Sequence, residues 1–242
     1  MQQLCKKRNM NISKISKRLE AAASFSRRGA RFADIGTDHA YLPIYLHAAQ
    51  GSRGVASDIN EGPTERARAN VISHGMQGAI EVLRTDGLHG IEKYSPEDIF
   101  ILGMGGELIV KIISEAEWLK CKEKRLVLQP MTHPEAVREY LLGNGFDIVD
   151  ELIIKDEKIY QIICAEYVGQ TDDSFDALEL LVGRKNIERS EPILYELLGN
   201  IKRIFAERVV GKHSAGADAS FELNMIEKID ERLTEVEKNE CS

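Results

Sequence analysis

The 242 residues are 43% apolar, 29% charged and 6% aromatic, with a formal net charge of −7, a globular composition that excludes a disordered or collagenous chain. No apolar run approaches the ~20 residues that span a bilayer, and the basic start has no apolar stretch behind it, so neither a membrane segment nor a signal peptide is expected. Cys5, Cys121, Cys164 and Cys241 are scattered without paired spacing, which fits a reducing, cytoplasmic setting and argues against a disulfide framework or a zinc site.

Residues 1–31 carry nine Lys and Arg against Glu20 alone, leaving 23 basic and 38 acidic residues in the remainder. A basic segment on an acidic body is the footprint of a polyanion partner, or else a solvated face kept for solubility. Residues 1–10 are polar and aperiodic and read as a frayed tail. Ile12, Ile15, Leu19 and Ala22 then recur at steps of three and four, predicting an amphipathic helix over residues 11–28 that stops before Gly29. Its cations lie mostly off the apolar stripe.

From residue 31 strands and helices alternate. Strands are predicted at 31–35, 53–57, 80–84, 98–102 and 125–128, with helices at 39–49, after Pro63, at 107–119 and from Pro134 to Gly145. Residues 146–154 and 158–167 then form a hairpin turning at Asp156-Glu157. Five β/α alternations require a parallel sheet covered by helices on both faces. The terminal reversed strand separates a methyltransferase sheet from a simple nucleotide-binding one. Residues 170–176 (QTDDSFD) form a polar hinge, which divides the chain into domains at 1–169 and 170–242. Leu194, Leu198, Ile201 and Phe205, then Ile226, Ile229, Leu233 and Val236, predict an antiparallel helical hairpin resembling a short coiled coil. Lys202, Arg203, Arg208, Lys212 and His213 make its tip basic; a packing or dimerisation stalk is the competing reading.

The segment Ala33-Asp34-Ile35-Gly36-Thr37-Asp38-His39-Ala40-Tyr41 falls at the first strand–helix junction, where open parallel sheets bind nucleotides. Gly36 permits a sharp turn and close ligand approach. Asp38 stands where a dinucleotide binder has glycine; it would repel a pyrophosphate and suits a ligand carrying an ammonium group, with helix N-capping as its plainer role. Asp58 ends the second strand, 22 residues after Gly36, and is placed to accept from ribose hydroxyls. Asp86-Gly87 ends the third strand, within reach of an adenine amino group. Gly103-Met104-Gly105-Gly106 follows the fourth strand, either as a close-approach loop or as a tight turn. Gln129-Pro130 ends the fifth and could meet a base edge or cap a loop. His39 is equally a hydrogen-bonder or a base, and the histidines share no metal-ligand spacing.

The runs ISKISKRLEAAASF, ADIGTDHAYLPIYL, ASDINEGPTERA, RTDGL, ILGMGGELI and LVLQPMTHPEAVREYL, in this order, resemble the blocks of the bacterial tRNA (adenine(22)-N1)-methyltransferase family. The resemblance covers nearly the whole chain, hairpin included; the basic leader 1–10 lies ahead of the family's usual start. It implies a Rossmann-like α/β methyltransferase fold, S-adenosylmethionine as cofactor, and methylation of N1 of an adenine in the D-arm region of tRNA. Family cofactor contacts map onto Asp34, Gly36, Asp38, His39, Asp58, Asp86, Gly87, Gly103 and Met104. N1 already bears a lone pair, so positioning and electrostatics should carry catalysis, with Asp38 accepting from the adenine amine and Gln129 orienting the base. Lys14, Lys17, Arg18, Arg27, Arg28, Lys202, Arg203 and Arg208 are the expected RNA contacts. A cytoplasmic monomer or weak dimer without metal or membrane contact follows. The rivals are a methyltransferase acting on another RNA or a small molecule, and a non-enzymatic RNA-binding module.

Overall fold

The computed structural model describes residues 15–240, with side chains to residue 234. Helix α1 (Lys17–Ser24) begins where Ser16, extended at φ −63 and ψ 154, accepts the Leu19 N–H on its hydroxyl. Ile15 therefore precedes the helix, which is shorter than its apolar periodicity predicts; Ile12 and Lys14 lie outside the described residues.

The parallel strands are β1 (Phe32–Ile35), β2 (Gly54–Asp58), β3 (Ile80–Arg84), β4 (Asp98–Gly105) and β5 (Arg125–Thr132). Helices α2 (Tyr41–Gln50), α3 (Glu61–Ser73), α4 (Gly106–Ser114) and α5 (Pro134–Gly143) follow β1, β2, β4 and β5, while a 3₁₀ turn at Glu92–Tyr94 alone joins β3 to β4, so the five expected β/α alternations are four. The hairpin β6 (Phe146–Lys155) and β7 (Ile159–Tyr167) completes a seven-stranded sheet of order β3-β2-β1-β4-β5-β7-β6, in which β7 is antiparallel to both neighbours. The predicted helix over 107–119 breaks: α4 ends at Ser114, and a separate 3₁₀ turn holds Glu117–Leu119.

Successive strand residues point to opposite faces, and this divides the core. Ala33, Ile35, Ile99, Ile101, Leu126 and Leu128 pack with Ile109 and Val137 of α4 and α5. Phe32, Ala56, Phe100, Val127 and Ile162 pack with Ala22, Leu46 and Ala67 of α1, α2 and α3. Both faces of the central strands are thus dry, as parallel strands require.

Beyond Gly169, the C-terminal part is more than a hinge and a hairpin. Asp176 and Glu179 form a reciprocal capping box opening α6 (Ala177–Val182), and α7 (Arg184–Arg189) follows before the hairpin α8 (Pro192–Ser214) and α9 (Ser220–Glu240). Leu178, Leu194, Leu198, Phe205, Met225 and Ile229 form their own core together with Ile153 of β6. The predicted seam contributes, but Leu197 and Met225 join it from positions the 4-3-4 spacing skips. Among the described residues no helix is long and apolar enough to cross a membrane.

Candidate active site

Strand register sets the site. Ile35 of β1 pairs with Ser57 of β2 and Ile101 of β4, Asp58 of β2 with Arg84 of β3, and Leu102 of β4 with Gln129 of β5. The segments carrying Gly36, Asp58, Asp86, Gly103 and Gln129 therefore leave the sheet along one edge, where ligands bind in open α/β sheets. The β6–β7 turn lies at the same edge, because those strands run antiparallel in pairs.

The loop after β1 is rigidly held. Gly36 and Thr37 both donate to the Ser57 carbonyl, at 2.8 and 2.9 Å. Gly36 has φ +81, which is what calls for glycine; a Cβ there would also meet Met104 Cε, the movable end of that side chain. The turn into α2 is capped by Thr37, whose hydroxyl accepts the Ala40 N–H at 3.1 Å, while Ala40 itself takes φ +53. Asp38 is therefore not the helix cap that its position suggests. Its Oδ1 accepts from Nε of Arg66 on α3 at 3.0 Å and from a second nitrogen of that guanidinium, and its Oδ2 lies 3.4 Å from His39 Nε2.

A pocket of about 270 Å³ opens here, lined among others by Arg18, Asp34, Gly36, Asp38 and His39. Burial raises the Asp34 carboxyl from 3.8 to about 6, against the opposing Thr37 hydrogen bond and Arg18 charge. Asp58 accepts the Asn60 N–H on Oδ1 at 2.7 Å. Asp86 lines a neighbouring hollow of about 440 Å³ with Leu88, His89, Ile112 and Trp118, and a Cβ on Gly87 would press on Ile112 at 3.3 Å. The β4–β5 ladder shifts register between Leu102 and Met104, which expels Gly103 as a bulge at φ +78. Gly106, by contrast, serves packing: a Cβ there would overlap the His133 carbonyl.

Gln129 is fully buried. Its Oε1 accepts from Arg18 Nη1 at 2.7 Å, and its Nε2 donates to the Pro130 carbonyl at 3.0 Å.

A methyltransferase-domain family matches residues 15–163. The tRNA (adenine(22)-N(1))-methyltransferase of Bacillus subtilis is 38% identical over 178 residues, covering 72% of this chain and 74% of the relative. The chain belongs to the tRNA (adenine(22)-N1)-methyltransferase family. Solved structures of the family superpose closely. Streptococcus pneumoniae Sp1610 in complex with S-adenosyl-L-methionine is 32% identical, with a TM-score of 0.81 over 90% of this chain and 99% of that one. The Bacillus subtilis m1A22 tRNA methyltransferase is 29% identical, with a TM-score of 0.77 over 93% and 98%.

The cations expected on the RNA of a tRNA methyltransferase are placed differently. Lys17 and Arg28 are exposed, as expected. Arg27 is instead committed to the opposite edge of the sheet: Nε donates to the buried Asp98 at 2.7 Å and Nη2 to the carbonyls of Glu97 and Glu123. Arg18 turns into the slot. On the hairpin, Lys202 pairs with Asp230, Arg203 with Glu207 and Lys212 with Glu222, while the Arg208 guanidinium lies 5.6 Å from the Phe205 ring centre. The basic tip is thus largely neutralised. Arg18, expected on the RNA, lines this pocket instead, and Arg66, which sequence spacing does not mark, reaches Asp38 from α3.

Proposed function

We propose that this chain transfers the methyl group of S-adenosylmethionine to N1 of adenine 22 in tRNA, in the cytoplasm. The observation that carries the reading is the shared edge: a positive-φ glycine beneath Met104, with Asp34 and Asp38 in and after β1, Asp58 ending β2 and Asp86 just after β3. This donor set fits the cofactor. It offers carboxylates to an ammonium, ribose hydroxyls and an adenine amine. When bound, the sulfonium supplies an electrophilic methyl group.

The chain's own residues bind and orient. Asp34 and Asp38 place negative charge beside the ammonium, Asp58 accepts from the ribose, and Asp86 accepts from the cofactor adenine. Gly36 and Gly103 let the backbone come close. Asp38 leans toward α3, whereas Gln129 stands on β5, two strands away or about 10 Å at ordinary strand spacing. We therefore assign Asp38 to the cofactor and the β5 side to the target base. No general base is required, because N1 attacks through its own lone pair and the product keeps the positive charge. N1 lies on the pairing edge, so the base must be turned out of its stack, with Lys17, Arg28 and Arg208 gripping the surrounding RNA.

Calorimetry with S-adenosylmethionine and turnover on total tRNA, measured on Asp38→Asn, test the assignment. Weaker cofactor binding with turnover preserved at saturating cofactor is expected. Normal binding with lost turnover would instead make Asp38 the residue that contacts the adenine.

A further inference from the structure

Arg18 leaves α1 and reaches along the edge of the sheet to β5. Its Nη1 donates to Gln129 Oε1 at 2.7 Å, and a Cβ on Gly103 would stand 3.6 Å from the same nitrogen. Its Cζ is 5.5 Å from the centre of the Tyr160 ring at the start of β7. Gln129 is wholly buried and tied by Nε2 to the Pro130 carbonyl, so its amide is fixed at both ends. The group presented on the β5 side of the slot is therefore the guanidinium, with the glutamine behind it.

Acidic groups share its surroundings. Asp34 lines the same pocket and feels the Arg18 charge, Asp38 lines it paired with Arg66, and Asp156 Oδ2 lies 3.4 Å from the Arg18 backbone nitrogen. They disfavour a phosphate at this depth, whereas a neutral ring carrying nitrogen lone pairs meets no such repulsion. An aromatic face at the same place suits a base turned out of the RNA. Donation to N1 would occupy the lone pair that the reaction uses, and a purine's N3 is shielded by its own ribose. N7 is free and leaves N1 open.

We propose that Arg18 contacts the target adenine directly, donating to N7 through a guanidinium nitrogen not engaged by Gln129, with the base against Tyr160, and that Gln129 is a positioning residue for Arg18. This rests on the function proposed above and names the group that receives its substrate. Arginine meets guanine through O6 and N7 together; beside adenine's N7 stands a donor amine, so one guanidinium nitrogen donates to N7 alone, and a hydrogen bond from a charged donor is worth roughly tenfold or more in kcat/KM.

The test uses tRNA transcripts carrying adenosine or 7-deazaadenosine at the target position. The unsubstituted enzyme should lose about tenfold in kcat/KM on the 7-deaza transcript. Arg18→Gln should lose a similar factor on the ordinary transcript and show no further 7-deaza penalty, with its calorimetric affinity for S-adenosylmethionine kept within about twofold. Gln129→Ala should shrink the 7-deaza penalty, which a merely structural glutamine would not do. Equal rates on the two transcripts with the unsubstituted enzyme overturn the proposal whatever the variants do. So does an undiminished 7-deaza penalty in Arg18→Gln, or a large loss of cofactor affinity there, which would place the guanidinium on the cofactor. Absence of methylation on either transcript despite tight cofactor binding refutes the proposed function, and this inference with it.

Discussion

Arg138 donates through Nε to Glu151 Oε1 at 2.6 Å, and neither side chain has any exposed surface. The same guanidinium donates to Gln161 Oε1 at 2.8 Å and to the carbonyls of Leu180 and Leu181 at 2.8 and 3.2 Å. One cation on α5 thus ties β6, β7 and the end of α6 together, and so anchors the C-terminal helices to the sheet. Removing it strands a carboxylate in the core. Arg138→Ala should cost about 3–5 kcal/mol of unfolding free energy in urea, and Arg138→Met combined with Glu151→Leu far less. Equal losses would show that lost volume, rather than lost charge, weakens the fold.

Asp34 makes stability depend on pH. Its carboxyl ionises near 3.8 when unfolded and at about 6 in the fold, chiefly because it is buried. Between those values the folded state holds a proton that the unfolded chain has released, so stability falls as pH rises from about 4 to about 6 and levels off above. Asp34→Asn removes that slope. The variant should outlast the parent above pH ~6, by on the order of 3 kcal/mol, and lose the advantage near pH 4. Denaturation across this range is the measurement; parallel curves for the two proteins would contradict it.

If Asp38 holds the cofactor's ammonium, as proposed, Arg66 competes for it. The guanidinium already pairs with that carboxylate, the two side chains being 50% and 59% exposed. Exposed pairs are worth about 0.2–1 kcal/mol, so Arg66→Ser should tighten S-adenosylmethionine binding by a few-fold at low salt, with the gain shrinking as salt rises. Weaker binding in the variant would mean that Arg66 holds the loop in its working shape.

The strand and helix succession was legible because periodicity and the glycine and proline stops agree at nearly every element. The edge carrying Gly36, Asp58, Asp86 and Gly103 followed from where strands end. Partnership was not legible. Whether Arg27 faces RNA or Asp98 depends on residues 71 positions apart, and nothing local distinguishes Arg18 from its exposed neighbour Lys17. The short helices α6 and α7 were missed because each has too few turns to show a period.

Arg27 and Lys17 should therefore respond oppositely to substitution. Burial raises the Asp98 carboxyl and Arg27 pulls it back, so Arg27→Ala leaves a buried acid without its counter-ion. It should lose about 2–4 kcal/mol of stability with the salt dependence of tRNA binding unchanged. Lys17→Ala should leave stability intact and lower the slope of log affinity against log salt by about 1. A reduced slope in a stable Arg27→Ala protein would return that residue to the RNA surface.

Methyl transfer to two tRNA transcripts that differ only in carrying adenine or guanine at position 22, followed by nucleoside mass spectrometry, tests the whole account. It predicts 1-methyladenosine in the first transcript, dependent on S-adenosylmethionine, and no methylated nucleoside in the second. N6-methyladenosine in the first, or equal 1-methyladenosine in both, would contradict it.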